Sequence, residues 1–395
     1  MKKIAFVMPW LLPMPPVRGG AVETLVDSLL WENEKDGAFE ITVFSPQDEL
    51  AQQEYPKYSR TEFIPIQVPK WQHEAARLVK GALWKGLRVG MTPGAAYLLA
   101  VKRALRGRRF DRIIVENQAP FAMPIARIGV GPVDLHMHNI AILSEQPHPE
   151  QVAAHCRRIL CVSNYIRDWC EGHLGNQSEK YRVLLNCVDV STFSDARRFR
   201  DEMRSQLGIG EDEIAFLYTG RLCPEKGALE LAEAFRQLDL PNAKLVLVGS
   251  AWFDASVEDE YQCKIRSAIE PVKDRVIFTG YVQYSEIPKY YALADVAVMP
   301  SIWDEPGSLT LLEAQASGLP LISTRAGGNA MNTCPEGAIL LERGEGLTGR
   351  IAEAMRTLAG DAAQRARMGK AALDWSKDRT KKAYFRSFCA LMDED

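Results

Sequence analysis

The chain has little of what marks several common protein classes. Its eight cysteines are scattered through 395 residues with no CxxC pair. A disulfide-stapled small domain is therefore excluded, and reduced thiols in a cytoplasm are expected. No run approaches the roughly 18 apolar residues that a membrane span needs. The opening Met1-Lys2-Lys3 leads into IAFVMPW, an apolar run of only about seven residues, at the floor for a signal peptide. Prolines and Arg18 follow it, so it reads as a first buried strand. Neither sign of charge dominates, with 48 Lys and Arg against 51 Asp and Glu, and no nucleic-acid partner is expected. No G-x-G-x-x-G follows the first strand, which leaves a dinucleotide site unsupported.

What is present fits two domains. The first half alternates β-rich runs with helical patterns: KIAFVMP, EITVFSP, DRIIVEN, VDLHMH and RILCVS. After a polar stretch around 175–190 the second half repeats the alternation with EIAFLYTG, KLVLVGS, RVIFTG, DVAVMP and LPLISTR. This predicts an α/β chain of two parallel-sheet domains. The polar stretch marks the hinge, with domain one over 1–185 and domain two over 186–375.

The segment Asp295–Gly328 carries the densest chemistry. A short strand breaks at Pro300, a loop holds Glu305 and Gly307, and a helix is predicted to begin near Ser308. Glu305 and Glu313 bracket the amides of Gly307, Ser308 and Leu309, which have no intrahelical partner and suit a diphosphate. Each carboxylate can accept from a pair of vicinal hydroxyls, as a nucleotide sugar would offer at its two ends. The same residues would also serve as a capped helix start with acids nearby. Gly19 and Gly20 follow the first strand, where the backbone must turn sharply; a simple β-to-α turn would use them equally well. His136 and His138 share one face of a strand. An HxH pair can hold zinc, but the remaining histidines have no metal-ligand spacing.

Glu305 through Glu313, Gly220-Arg221-Leu222-x-x-Glu225-Lys226-Gly227, Gly19-Gly20, His138, CVSNYIRDW, VLLNCVDVSTF and FTGYV occur in the order found in retaining glycosyltransferases. The chain most resembles glycosyltransferase family 4. The resemblance implies a GT-B architecture: two Rossmann-like domains facing a deep interdomain cleft, with the closing helix, 376–395, crossing back to domain one. It implies transfer of a hexose-type sugar from a nucleotide donor, most often a UDP-sugar, to a glycan, glycolipid or other acceptor in cell-surface polysaccharide synthesis. Arg221, Lys226 and the amides at 307–309 would hold the diphosphate, Glu305 the donor sugar and Glu313 the ribose. Backbone near Tyr281 and Val282 would read the base. Gly19, Gly20 and His138 would face the donor from domain one.

Metal-dependent transferases usually present an Asp-x-Asp after a strand, and here that pattern occurs only at Asp393-Glu394-Asp395. No catalytic metal and no cofactor are expected. Cys187 stands where the family usually has glycine, which puts a local backbone contact in question. A non-catalytic donor-binding partner, an epimerase or a phosphorylase on the same fold are the alternatives. Finally, 70–109 gathers ten Lys or Arg against Glu74 alone, interleaved with Trp71, Trp84 and other apolar residues. That composition suits either a solvated basic face or a helix lying peripherally on the inner face of an anionic membrane.

Overall fold

The computed structural model describes residues 1–68, 94–140, 148–174, 177–250 and 259–394. It divides into two units, Met1–Leu185 with Tyr384–Asp395, and Asn186–Ala383.

The first unit is built on seven parallel strands: β1 (Lys2–Val7), β2 (Phe39–Pro46), β3 (Thr61–Ile66), β4 (Arg112–Glu116), β5 (Val133–Met137), β6 (Arg158–Cys161) and β7 (Tyr181–Val183). Their order is β3-β2-β1-β4-β5-β6-β7. Ile4 through Val7 are fully buried, as both faces of a central parallel strand must be when helices cover them. Helix α1 (Ala21–Asp36) follows β1, and α2 (Ala95–Leu105) precedes β4.

The second unit has six parallel strands: β8 (Ile214–Thr219), β9 (Ala243–Val248), β10 (Val276–Gly280), β11 (Val296–Met299), β12 (Leu321–Thr324) and β13 (Ala338–Leu341), in the order β10-β9-β8-β11-β12-β13. Helix α3 (Leu309–Ala316) lies between β11 and β12. Both units are thus doubly wound, Rossmann-like sheets. In each, the strand order reverses beside the first strand of the unit, between β1 and β4 and between β8 and β11. Loops leaving a sheet at such a point diverge and open a crevice at the carboxyl ends of the strands. β3, β7 and β13, which lie at sheet edges, extend the ten strands read from the sequence.

The last helix, α4 (Lys381–Asp393), supplies Phe388, whose ring lies 5.9 Å from that of Phe6 and 5.8 Å from that of Phe39. Basic groups of the first unit serve its carboxyl end: Lys2 Nζ donates to Met392 O at 2.7 Å, and Arg158 donates to the carbonyls of Leu391 and Glu394. Cations suit that end of a helix dipole and satisfy its orphan carbonyls.

Residues 69–93, most of the basic stretch singled out above, lie outside the described residues. Of its remainder, Arg108 is engaged in a fork onto Glu62 at 2.7 and 3.1 Å, while Arg103 and Arg106 are exposed. Among the described residues, no helix is long and apolar enough to cross a membrane.

Candidate functional site

In the second unit the site begins where β8 ends. Gly220 takes φ 143°, Arg221 turns outward, and a short 3-10 turn, Pro224–Lys226, runs into Gly227 at φ 71°. A Cβ on Gly227 would sit 2.1 Å from the carbonyl oxygen of Pro300, so only glycine allows this loop to lie against the one leaving β11. The amide of Ile302 donates to Glu225 O at 2.9 Å, which joins the same two loops.

That contact brings Lys226 onto Glu305. Lys226 Nζ donates to Glu305 Oε1 at 2.6 Å, and Ser301 Oγ donates to the same oxygen at 2.6 Å. Glu305 is 2% exposed, and a carboxylate that buried needs such partners. Its other oxygen, Oε2, has no partner among the described residues. An ammonium has three donors, so Lys226 keeps two for an anion. The Glu305 backbone is gripped as well, by the Gly328 amide at 2.6 Å and by Gly327, whose Cβ would lie 2.5 Å from Glu305 O.

Three residues on, Ser308 is the N-cap of α3, but its hydroxyl makes no capping bond and instead meets Thr310 Oγ1 at 2.9 Å. Among the described residues no side chain competes for the first amides of this helix, which leaves them available to an anionic group. The carbonyl of Gly307 is fixed by Asn186 Nδ2 at 2.8 Å. One turn into α3, Glu313 is 4% exposed and accepts from the hydroxyls of Tyr284 at 3.0 Å and Tyr291 at 3.1 Å. Burial pushes its carboxyl up to about 7, against the lowering effect of the two hydroxyls. Tyr281 and Val282 follow β10 directly, at the same carboxyl edge and close in sequence to Tyr284.

In the first unit, β1 and β5 end at a separate cluster. Gly19 and Gly20 have φ 76° and 111°, and a Cβ on Gly20 would lie 2.1 Å from Glu23 Oε2. Burial raises the Glu23 carboxyl to about 7, and the nearby charge of Glu116 adds to the rise. His138, just beyond β5, places Nε2 2.8 Å from Glu116 Oε2, and His136 places Nδ1 3.1 Å from the same oxygen. The register pairs Glu116 with His136, which explains the meeting. Burial alone would raise the Glu116 carboxyl, but His136 and then His138 outweigh it and hold it at about 2. Asn117 adopts φ 49°, and its Oδ1 accepts from the amides of His138 and Asn139 at 3.1 and 3.2 Å.

The sequence-selected residues thus fall into two groups. Lys226, Glu305, Gly307, Ser308, Leu309 and Glu313 line one continuous path in the second unit, with Arg221, Tyr281 and Val282 at its neighbouring strand ends. Gly19, Gly20 and His138 belong to the first. Ser301, Tyr284, Tyr291, Glu116 and Asn117 were not selected. Glu116-Asn117 closes the strand DRIIVEN, and only the β4–β5 register reveals that this polar pair lies beside the histidines. Among the described residues Asn117 is the sole non-glycine with positive φ, so Cys187 stands in ordinary backbone and its replacement of glycine carries no strain there.

Two doubly wound parallel sheets, the second carrying an acid–lysine pair beside an open helix start, are the architecture of a GT-B glycosyltransferase. The family profile "Glycosyltransferase Family 4" matches residues 19–192, and "Glycosyl transferases group 1" matches 199–375. The chain belongs to the family 4 glycosyltransferases. It is 28% identical over 340 residues to the putative glycosyltransferase YtcC of Bacillus subtilis, covering 83% of this chain and 76% of that one. It is 25% identical over 332 residues to the lipopolysaccharide 1,2-N-acetylglucosaminetransferase of Salmonella typhimurium, covering 83% and 81%. Anabaena HepE, crystallised with UDP and glucose, superposes over 100% of both chains with a TM-score of 0.77 at 19% identity, a likeness of fold.

The raised Glu313 carboxyl gives a stability prediction. Its folded value, about 7, exceeds its unfolded value of 4.5. Below the lower value both states are protonated. Between the two the unfolded chain loses its proton first, so stability falls as pH rises, by about 3 kcal/mol in all, and levels off above the upper value. Glu313→Gln should remove that loss. Denaturant unfolding at about pH 5 and pH 8, which span most of that change, should find the variant gaining on the parent by about 2.5 kcal/mol; parallel pH dependence would refute the assignment.

Proposed function

We propose that the protein is a retaining, metal-independent transferase that moves a hexose-type sugar from a nucleoside diphosphate, UDP foremost, to a hydroxyl of a glycan or lipid-linked acceptor. The observation that carries this reading is the Lys226–Glu305 pair beside the uncapped start of α3. It sets a cation, free amides and a carboxylate oxygen side by side, in the sequence diphosphate then sugar hydroxyl. HepE, as a fold relative that takes UDP, and the Salmonella relative, named for building lipopolysaccharide, support the donor and the acceptor class.

In this reading Arg221, Lys226 and the amides of Gly307, Ser308 and Leu309 neutralise the diphosphate as its charge grows. Glu305 Oε2 accepts from donor-sugar hydroxyls. Glu313 Oε1 and Oε2 each keep a lone pair for the ribose, and backbone at Tyr281 and Val282 meets the base. Gly19 and Gly20 give the first domain's amides close approach, and His138 meets a sugar hydroxyl. With Oε1 held by Lys226 and Ser301 and Oε2 engaged by the sugar hydroxyls, Glu305 has no oxygen left for nucleophilic attack. The reaction then proceeds on one face: the bond from C1 to the phosphate oxygen breaks, the acceptor oxygen bonds to C1 from the same side, and the acceptor proton passes to the leaving phosphate. No cation beyond Arg221 and Lys226 is required.

Arg221→Ala and Lys226→Ala should each cost roughly 2–4 kcal/mol of transition-state stabilisation, about a hundredfold or more in turnover, and the parent should keep its rate in excess EDTA. Donor hydrolysis and transfer are measured together. Unchanged rates in both variants would remove the clamp, activity that returns only with Mn²⁺ or Mg²⁺ would remove metal independence, and the absence of any hydrolysis would favour a donor-binding partner.

The acceptor reading extends to the membrane, since each basic residue near an anionic surface contributes about 1 kcal/mol, screened by salt. Co-sedimentation with phosphatidylglycerol vesicles should exceed that with neutral lipid and fall with salt and in an Arg103→Ala/Arg106→Ala double variant. Equal, salt-insensitive partitioning would point instead to a soluble acceptor.

A further inference from the structure

We infer that Glu116 is a positioning residue that fixes His138 as the tautomer protonated on Nε2, so that its Nδ1 meets substrate as a hydrogen-bond acceptor. The inference rests on the proposed role of His138 and adds the direction of its hydrogen bond and the kind of group it recognises.

The argument starts from what a carboxylate can do. Glu116 is fully buried at the end of β4. An ionised carboxylate has no proton to give, so any nitrogen within hydrogen-bond distance of it must be the donor. Two nitrogens qualify: His138 Nε2, 2.8 Å from Glu116 Oε2, and His136 Nδ1, 3.3 Å from Glu116 Oε1. Each ring therefore turns an N–H towards Glu116. The other nitrogen of His136, Nε2, is buried and has no partner among the described residues, so that ring is a support. It lies 4.2 Å from the ring of His138, centroid to centroid, and packs beside it.

His138 is placed differently. It stands past the last residue of β5, its amide is held by Asn117 Oδ1 at 3.1 Å, and its side chain is 8% exposed. Its Nδ1 has no partner among the described residues. Burial, with His136 beside it, lowers the His138 value to about 4 despite the carboxylate, so the ring is neutral at physiological pH and Nδ1 carries a lone pair. Such a nitrogen accepts from a hydroxyl. It cannot donate to a phosphate oxygen or to a carbonyl. The group it selects is therefore a hydrogen-bond donor, a hydroxyl on the proposed hexose, and a sugar with that hydroxyl removed would leave the lone pair facing nothing, which a site built around a hydrogen bond penalises.

Glu116 is needed because an isolated imidazole holds its proton on either nitrogen. Glu116→Gln preserves the shape, but its amide can present either a carbonyl or an N–H to His138. The N–H orientation would pull the lone pair of His138 to Nε2 and turn Nδ1 into a donor.

The first measurement needs no variant: long-range nitrogen–proton correlation on the full chain with nitrogen-15 histidine, the His138 signal assigned by its loss in His138→Gln. The expected pattern is a neutral ring with the proton on Nε2 across about pH 6 to 8; a proton on Nδ1, or a charged ring, overturns the inference. The second compares Glu116→Gln and Glu116→Asp. Glu116→Gln should shift the His138 pattern towards the other tautomer and lower kcat roughly tenfold to a hundredfold, with Glu116→Asp recovering part of both. A Gln variant that keeps the parent's tautomer and rate overturns the role of Glu116. Loss of transfer in His138→Ala alongside that result would leave the transferase reading standing. An inactive parent would sink that reading while the tautomer measurement still decides this one.

Discussion

Everything in the second domain depends on three loops that cannot move apart. The loop after β8 is fixed to the loop after β11 by Gly227, which leaves no room for a Cβ beneath Pro300 O, and by the hydrogen bond from Ile302 to Glu225. The loop after β11 is fixed in turn to the loop after β12, where Gly327 and Gly328 close around the carbonyl of Glu305. Two glycines with positive φ therefore set the position of a carboxylate and the lysine that meets it. The charges do not organise this site; backbone contact does, and the charges are delivered by it.

Three buried glutamates illustrate how the donor chosen for a carboxylate sets its state. Glu305 is held by an ammonium and a hydroxyl, Glu313 by two phenols and Glu116 by two imidazoles. Phenols do not offset the burial of Glu313, which rises to about 7, whereas the histidines hold Glu116 near 2. A carboxyl poised near neutrality has one oxygen able to donate for part of the time, which suits a partner that both gives and takes hydrogen bonds. A carboxylate locked as an anion fixes the protons of its neighbours instead.

The two-sheet architecture was legible in the sequence because central parallel strands are apolar on both faces, and runs such as KIAFVMP and KLVLVGS admit few other readings. β3, β7 and β13 escaped because edge strands are short, half-exposed and, in TEFIPI, interrupted by Pro65. The motif residues of the second domain were likewise legible, since Lys226, Glu305 and Glu313 lie in spaced signatures. Their supports were not. Tyr284 and Tyr291 look like ordinary aromatic residues of a helical stretch, and nothing local says that both hydroxyls turn to Glu313. Glu116 meets His138 through sheet register, which is a long-range property that no single segment encodes.

The central claim is that the uncapped start of α3, with Lys226, is a diphosphate cradle whose position the interlocked loops determine. Calorimetric titration of the parent and Lys226→Met with UDP and with uridine tests it most directly. The account predicts that the parent binds UDP at least a hundredfold more tightly than uridine, roughly 3 kcal/mol, and that the variant loses most of this difference while its affinity for uridine changes little. Equal affinity of the parent for UDP and uridine, or a difference that survives in Lys226→Met, would contradict it.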